Sequence, residues 1–182
     1  METKVTSGKI LISAPTLTDV FNRSVIFLTE HDINGSVGLI INKKLKYNLK
    51  DIVDTFSEID APVYFGGPVQ TEIVSVLHRI GNKIGGHEIS DGIYYSCDID
   101  KLNDLAENKL LNMNDIRFYL GYSGWNEGQL LNEIKQNSWF ISKGIEDYIF
   151  DIEAKKLWSK TLNDMGKEYK LISMYPENPS LN

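Results

Sequence analysis

Two apolar runs separated by an Asn-Gly step constrain the fold of this chain most strongly. The runs are residues 24–29 (SVIFLT) and 36–42 (SVGLIIN), and both are rich in β-branched residues. The segment between them ends in Asn34-Gly35, and Asn-Gly accepts the positive φ angles of a tight turn at low cost. We therefore predict an antiparallel hairpin, which argues against a sheet built only from parallel strands.

Further short strands and amphipathic helices are interspersed along the rest of the chain. Strands are predicted at residues 9–14, 62–65, 73–78, 93–96, 116–120, 139–141 and 169–174. Helices are predicted at residues 48–56, 98–111, 126–136 and 153–165, the last ending at a left-handed Gly166. This pattern predicts an α+β fold with a mixed, mainly antiparallel sheet that can curve strongly and has flanking helices. The length of 182 residues fits one domain spanning 1–182, with a flexible tail at 175–182.

Composition narrows the class of protein. The net charge is −6 and the isoelectric point is about 5.1, whereas a nucleic-acid binder needs a basic face, so nucleic acid is not the expected partner. Cys97 is the only cysteine, which suits a reducing compartment. The N-terminal apolar run is too short for a signal peptide or a membrane span. The expected location is the cytoplasm, away from membranes.

The segment 121–140 (GYSGWNEGQLLNEIKQNSWF) contains three glycines and two tryptophans. We expect the preceding strand to end at Gly121 and a helix to be capped by Asn126, with Gln129 reaching back to the Asn126 amide. Gly128 would then lie inside the helix, where glycine costs about 0.5–1 kcal/mol relative to alanine. Two explanations stay open: a tryptophan ring packed against the glycine, or an anionic ligand at the helix start.

Several motifs, in this order and spacing, resemble the YqgE/AlgH family over most of the chain. They are 21–25 (FNRSV), 35–42 (GSVGLIIN), 65–69 (FGGPV), 77–78 (LH), 121–125 (GYSGW), 128–130 (GQL), Glu133 and 137–139 (NSW). The chain departs from the family at Asn126-Glu127, where Gly-Pro is frequent, and at Leu131, where an acidic residue is frequent. The resemblance implies a compact, bacterial, cytosolic α+β protein and implies no reaction. Some members carry the label of transcriptional regulator.

Motifs for known catalytic chemistry are not found. The sequence has no Walker-type loop, dinucleotide fingerprint or zinc spacing, so we assign no cofactor, metal or catalytic residue. The histidines are scattered, at His31, His78 and His87, and each is interpreted as structural. Ser123 faintly resembles a nucleophile elbow, but Trp125 stands where that motif needs glycine. Cys97 is interpreted as a small buried apolar residue.

Arg23 and the turn that follows residues 62–65 are the remaining candidates for binding. Arg23 precedes an apolar strand, so it is expected either to pair with a buried carboxylate or to receive an anion in a cleft. The backbone amides of Gly66-Gly67 could line a cleft, although a plain tight turn also explains them.

Three hypotheses of function follow from these features. The first is a non-enzymatic, regulatory module that binds an unknown small molecule or protein in a single cleft. Its predicted lining is Arg23, His31, Gly66, Gly67, Tyr122, Ser123, Trp125 and Gly128. The second is an enzyme, such as a hydrolase, with His31 or His78 as general base. The third is a transcriptional regulator that binds DNA. The sequence does not determine the oligomeric state.

Overall fold

The computed structural model describes residues 4–143 and 146–176, including ten strands and five α-helices. The strands are β1 (Lys9–Ser13), β2 (Val25–Asp32), β3 (Gly35–Ile40), β4 (Lys44–Asn48), β5 (Pro62–Phe65), β6 (Val69–His78), β7 (His87–Ser90), β8 (Ile93–Tyr95), β9 (Ile116–Asn126) and β10 (Trp139–Lys143). The helices are α1 (Ile99–Glu107), α2 (Gln129–Lys135), α3 (Glu146–Phe150), α4 (Ala154–Met165) and α5 (Lys167–Ser173). Most of the predicted tail, residues 177–182, lies outside the described residues.

All ten strands belong to one curled sheet that forms a half-barrel. Its main path runs β10-β1-β2-β3-β9-β6-β8-β7, and every pair along it is antiparallel. Strand β5 pairs in parallel with β9 and antiparallel with β4, outside this path. The predicted α+β fold with a mixed, mainly antiparallel, curved sheet is therefore confirmed.

The hairpin predicted from the Asn-Gly step is formed by β2 and β3. The Asp32 carboxylate accepts hydrogen bonds from the backbone N–H groups of Asn34 and Gly35, at 2.7 and 3.2 Å. Gly35 has φ of +151°, and a Cβ on it would lie 2.3 Å from the Trp125 carbonyl oxygen. Glycine is required here because β9 passes directly against the turn.

Strand β9 continues through Gly121, so the prediction that the strand ends there is wrong. Gly121 has φ of +68° and bends the strand without interrupting its pairing. Before the bend, β9 pairs with β5 and β6; after it, the strand pairs with β3 and, at Tyr122, with Val69 of β6. The hydrogen bonds from these distant partners hold the strand on both sides of the glycine.

The predicted amphipathic helix at 153–165 is confirmed as α4. Leu157, Trp158 and Leu162 are buried in the main core, and the Trp158 indole N–H donates to the Ser13 carbonyl at 3.0 Å. Each such leucine stabilises the fold by roughly 1.5–3 kcal/mol when fully buried. Gly166 follows the helix with φ of 119° and ψ of −177°, so its backbone is not in the predicted left-handed helical conformation.

The predicted strand at 169–174 is wrong, because residues Lys167–Ser173 form helix α5. Tyr169 and Ile172, three residues apart, pack on the main core, while Leu171 is exposed. This spacing of the inward-facing residues is that of a helix, not of a strand.

The predicted helix at 48–56 is replaced by two short 3-10 turns, Leu49–Asp51 and Asp54–Phe56. Val53 between them is extended, with φ of −138° and ψ of 106°. The Leu49 N–H donates to the Ala61 carbonyl at 2.8 Å, so a tertiary contact replaces helical pairing at this end.

Arg79 ties β6 to the region around α3. Its guanidinium donates to both carboxylate oxygens of Asp151, at 2.9 and 3.1 Å, to Asp115 at 2.9 Å and to Glu146 at 3.0 Å. The same group lies 5.0 Å from the centre of the Phe150 ring.

Across residues 4–143 and 146–176, none of the helices has the length and apolar character needed to cross a bilayer.

Candidate binding surfaces

Four of the predicted binding residues lie where the end of β5 meets the bend in β9. A Cβ on Gly66 would lie 2.2 Å from the Gly121 carbonyl oxygen, and one on Gly67 would lie 2.2 Å from the Tyr122 carbonyl carbon. The hydroxyl of Ser123, which is fully buried, donates to the Gly66 carbonyl at 3.2 Å. Close backbone contact between the two segments accounts for both glycines.

Arg23 lies elsewhere, beside helix α4. Its guanidinium carbon is 4.7 Å from the centre of the Trp158 ring, and it donates a hydrogen bond to the Tyr175 carbonyl. Within residues 4–143 and 146–176 it forms no ion pair, so the predicted pairing with a buried carboxylate is not found there. Its aromatic stacking explains how the charge is accommodated next to an apolar strand.

Trp125 belongs to a cluster that joins α2 to the sheet. Glu133 Oε2 accepts hydrogen bonds from the indole N–H groups of Trp125 and Trp139, both at 2.8 Å, and Oε1 accepts from Gln129 at 2.9 Å. The Phe21 ring packs edge-on against Trp139, with 5.5 Å between ring centres. Sequence reasoning gave Glu133 no role, although its four-residue spacing from Gln129 places both on one helical face.

The start of α2 differs from the prediction. Strand β9 includes Asn126, and the helix begins at Gln129 with Gly128 as its N-cap, at φ of +69°. The Gln129 side chain does accept a hydrogen bond from the Asn126 amide, at 3.0 Å, as predicted. Among residues 4–143 and 146–176, no neighbouring atom lies within 4 Å of a Cβ built on Gly128, so close packing in this part of the chain is not the reason for the glycine. Its left-handed backbone is the reason.

His31 and Gly128 line a small pocket between the β2–β3 turn and the start of α2. Its volume is about 220 Å³, and its wall includes Ile33, Ser36 and Leu131. We call it the hairpin pocket. His31 Nδ1 lies 2.7 Å from the Ser36 hydroxyl, and Ser36 is 5% exposed.

A larger concavity of about 680 Å³ runs along β10, and we call it the edge groove. Its lining residues come from the N-terminal segment, β2, α2, β10 and α5. They are Lys4, Val5, His31, Leu131, Ile134, Lys135, Asn137, Trp139, Phe140, Ile141 and Tyr169. Since His31 and Leu131 line both spaces, the hairpin pocket and the edge groove are adjacent and share part of their walls.

The predicted binding residues are thus distributed over separate places. His31 and Gly128 share the hairpin pocket, Trp125 lines a separate space beside Phe21, and Arg23 lies near α4. Gly66 and Gly67 are buried in the β5–β9 contact. Sequence reasoning missed the edge groove, because its walls come from segments far apart in the chain.

His78 and Cys97 occupy positions unsuited to chemistry. His78 is fully buried, and burial lowers the pKa of its imidazole. Its Nδ1 accepts from the Ile80 amide at 3.3 Å, and Nε2 is 3.0 Å from the Ser96 carbonyl. Burial and the nearby Asp98 raise the pKa of Cys97 to about 11, which suppresses the reactive thiolate. In the described part of the chain, no group of three or more potential ligand side chains is arranged to hold a metal.

Residues 10–170 match the model of a protein family described as AlgH-like. This match covers well over half of the chain. The chain belongs to the AlgH-like family. The resemblance seen in the sequence motifs is therefore confirmed.

Relatives of this AlgH-like protein align with it over nearly their whole length. A UPF0301 protein of Chlorobium limicola is 37% identical over 181 residues, covering 98% of this chain and 97% of the relative. A UPF0301 protein of Bacteroides fragilis is 42% identical over 177 residues, covering 96% of this chain and 90% of the relative.

Two solved structures share the AlgH-like fold. The solution structure of the AlgH protein from Pseudomonas aeruginosa has a TM-score of 0.73 and 26% identity, covering 97% of this chain and 98% of that protein. The crystal structure of a protein from Corynebacterium diphtheriae has a TM-score of 0.81 and 18% identity, covering 96% of this chain and 95% of that one. The second likeness concerns the fold alone.

Proposed function

We propose that this AlgH-like protein is a non-enzymatic, cytoplasmic regulatory module that binds a ligand or partner protein in the edge groove and hairpin pocket. The observation that carries the proposal is that the two spaces are adjacent and share His31 and Leu131 as wall residues. Together they form a concavity whose wall mixes apolar, aromatic and cationic side chains, as binding sites commonly do.

Exposed apolar side chains at this concavity support the proposal. Ile33 is 80% exposed and Leu131 is 44% exposed, although both line the hairpin pocket. A bound molecule that covers them removes apolar surface from water and gains the corresponding free energy. Clustered apolar exposure around a cavity is typical of interaction sites.

A hydrolase is the second candidate, because one histidine does reach a hydroxyl. His31 Nδ1 is 2.7 Å from Ser36 Oγ, a distance that permits proton transfer from a nucleophile to a base. However, Ser36 is buried, and none of the described residues hydrogen-bonds to His31 Nε2 to orient the ring. A Ser36→Ala variant that abolished turnover of a generic ester such as p-nitrophenyl acetate would favour this candidate.

Transcriptional regulation is compatible with the same surface if it acts through a protein partner. Direct binding of DNA would instead require a face that neutralises phosphates, in a chain with a net charge of −6. Retention on immobilised duplex DNA that weakens steeply with salt would support direct binding. If the protein is not retained on DNA, regulation of transcription would have to act through binding to another protein.

The binding proposal can be tested by NMR with ¹⁵N-labelled protein. Pools of random decapeptides and of common metabolites are added, and any binder is titrated against wild type, Leu131→Asp and Leu110→Asp. Leu110 is 72% exposed and lies outside the concavity, so its variant is the matched control. We expect shift changes around the groove and at least tenfold weaker binding only for Leu131→Asp. Shift changes on another face, or no binder in either pool, would overturn the proposal.

A further inference from the structure

Strand β10 lies at the end of the sheet and pairs only with β1 among the described strands. The Ala14 N–H donates to the Ser138 carbonyl at 2.9 Å, which fixes the hydrogen-bonding phase of this antiparallel pair. Given the register, Phe140 directs its backbone N–H and C=O towards β1, whereas Trp139 and Ile141 direct theirs away. No described residue outside β10 pairs with these outward groups of Trp139 and Ile141.

The edge groove encloses this open strand edge. Trp139 and Ile141 pack on one face of the sheet, and Phe140 packs on the other, yet all three line the groove. Lining by consecutive residues of the last strand in the sheet places the concavity along the edge of that strand. Tyr169 of α5 packs on Phe140, with 5.3 Å between ring centres, and Ile134 of α2 forms the other side. The unpaired backbone N–H and C=O groups of Trp139 and Ile141 therefore lie in the groove between α5 and α2.

The charge of the groove is opposite to that of the chain. Lys4 and Lys135 line it together with His31, and its lining contains no aspartate or glutamate. The whole chain has 25 acidic and 19 basic residues. Both lysines are exposed, and neither forms an ion pair with a described residue. The groove therefore favours a partner that carries carboxylates.

We propose that the edge groove takes an extended, acidic segment of a partner protein, which adds to the sheet as a new strand beside β10. This inference rests on the proposed binding function and specifies the class of partner. The five residues of β10 match a segment of about five residues, since each strand residue spans about 3.4 Å. Backbone hydrogen bonds to Trp139 and Ile141 supply the pairing, and alternate side chains of the segment face Ile134 and Tyr169.

A second copy of this chain is a less suitable occupant. The sequence of β10 (WFISK) contains no carboxylate that could meet Lys4 and Lys135 of another copy. A strand from a second copy would therefore leave both lysines without an opposite charge. Charge thus favours an acidic partner over self-association.

The test uses fluorescein-labelled synthetic peptides and the full-length chain. The probe is an alternating Val-Glu hexapeptide; its controls are a Val-Lys hexapeptide and a Val-Glu hexapeptide N-methylated at alternate amides. We expect the Val-Glu probe to bind at least tenfold more tightly than either control in fluorescence polarisation. Lys135→Glu should weaken the probe at least fivefold, whereas Lys46→Glu, the same change at an exposed site on β4, should leave it unchanged.

Hydrogen exchange of the Trp139 and Ile141 amides provides the second readout. In the free, dilute protein both should exchange quickly, and saturating Val-Glu peptide should slow both. Equal binding of Val-Glu and Val-Lys peptides, or no effect of N-methylation, would overturn the inference. Amides already protected in the free protein would also overturn it, because the chain itself or a second copy would then fill the edge. Binding of a small molecule in the groove without peptide binding would refute this inference alone and leave the proposed function standing.

Discussion

Trp139 donates its indole N–H to Glu133 at 2.8 Å, and this bond joins the open edge strand to the helix that forms one wall of the edge groove. Trp125 donates to the same carboxylate oxygen from β9. One glutamate therefore sets the position of α2 relative to two strands. These part-buried hydrogen bonds hold α2 against β9 and β10 at one side of the groove.

Removal of this carboxylate should destabilise the protein substantially. Glu133→Ala leaves two buried indole N–H groups without their acceptor, and each unsatisfied donor costs about 1–3 kcal/mol. We expect the free energy of unfolding to fall by about 3 kcal/mol, measured by urea denaturation followed by tryptophan fluorescence. Glu127→Ala, at an exposed glutamate six residues earlier, is the control and should have little effect. A loss of less than about 0.5 kcal/mol for Glu133→Ala would show that water replaces the carboxylate.

Substitution by alanine should change the stability of the protein by different amounts at Gly66 and at Gly128. Gly66→Ala places a Cβ 2.2 Å from the Gly121 carbonyl oxygen, so β5 and β9 must separate. We expect a loss of about 3 kcal/mol or failure to fold. In Gly128→Ala the added Cβ contacts none of the described residues. The only cost is that alanine must adopt a left-handed backbone conformation, which destabilises the fold by about 1 kcal/mol. Thermal unfolding of both variants checks the order, and equal losses would contradict the close contact of β5 with β9.

The buried imidazole of His78 should make stability depend on pH. Its folded pKa lies below the ordinary value of 6.5 because burial disfavours the charged form. The unfolded chain therefore takes up a proton first as pH falls. The contribution of neutral His78 to the free energy of unfolding is fully present above about pH 6.5. It is lost as the pH falls from there through the lowered pKa of the folded state.

Urea denaturation between pH 5 and 7.5 measures this dependence. His78→Gln should remove part of the decline at low pH, whereas His87→Gln, at an exposed histidine, should retain it. NMR titration of the His78 ring should give a midpoint below 6.5. A midpoint above that value would reverse the sign of the effect.

Arg79 should contribute more to the free energy of unfolding than an ordinary surface cation does. It is 23% exposed and contacts three carboxylates, which together raise the pKa of its guanidinium. Arg79→Ala leaves those carboxylates close together and uncompensated, so we expect a loss of about 1–2 kcal/mol that shrinks at high salt. Lys156→Ala, which breaks an exposed pair with Glu153, should produce no measurable change. Chemical denaturation at 0.05 and 1 M NaCl distinguishes the two variants; a salt-independent loss at Arg79 would indicate packing on Phe150 instead.

Local signals in the sequence predicted the elements that depend on neighbouring residues. The β2–β3 hairpin follows from Asn34-Gly35, and α4 follows from the spacing of Leu157, Trp158 and Leu162. Elements decided by distant contacts were mispredicted. Gly121 bends β9 instead of ending it because strands remote in sequence pair on both sides of that glycine.

The edge groove was not predictable for the same reason. Lys4 precedes Ile134 by 130 residues and Tyr169 follows it by 35, so the three meet only after the sheet has assembled. That β10 lies at the end of the sheet depends on the order of all the other strands. The sequence motifs identified the family and the residues around α2, but not the space that α2 and β10 enclose.

His31 lies in the wall that the hairpin pocket and the edge groove share. A molecule that rotates this imidazole in one compartment reshapes the other, so the affinities of two guests would be thermodynamically linked. Such linkage is reciprocal: whatever factor the first guest imposes on the second, the second imposes on the first. Through this one side chain, binding of a metabolite would change the affinity for a protein, and binding of the protein would change the affinity for the metabolite by the same factor.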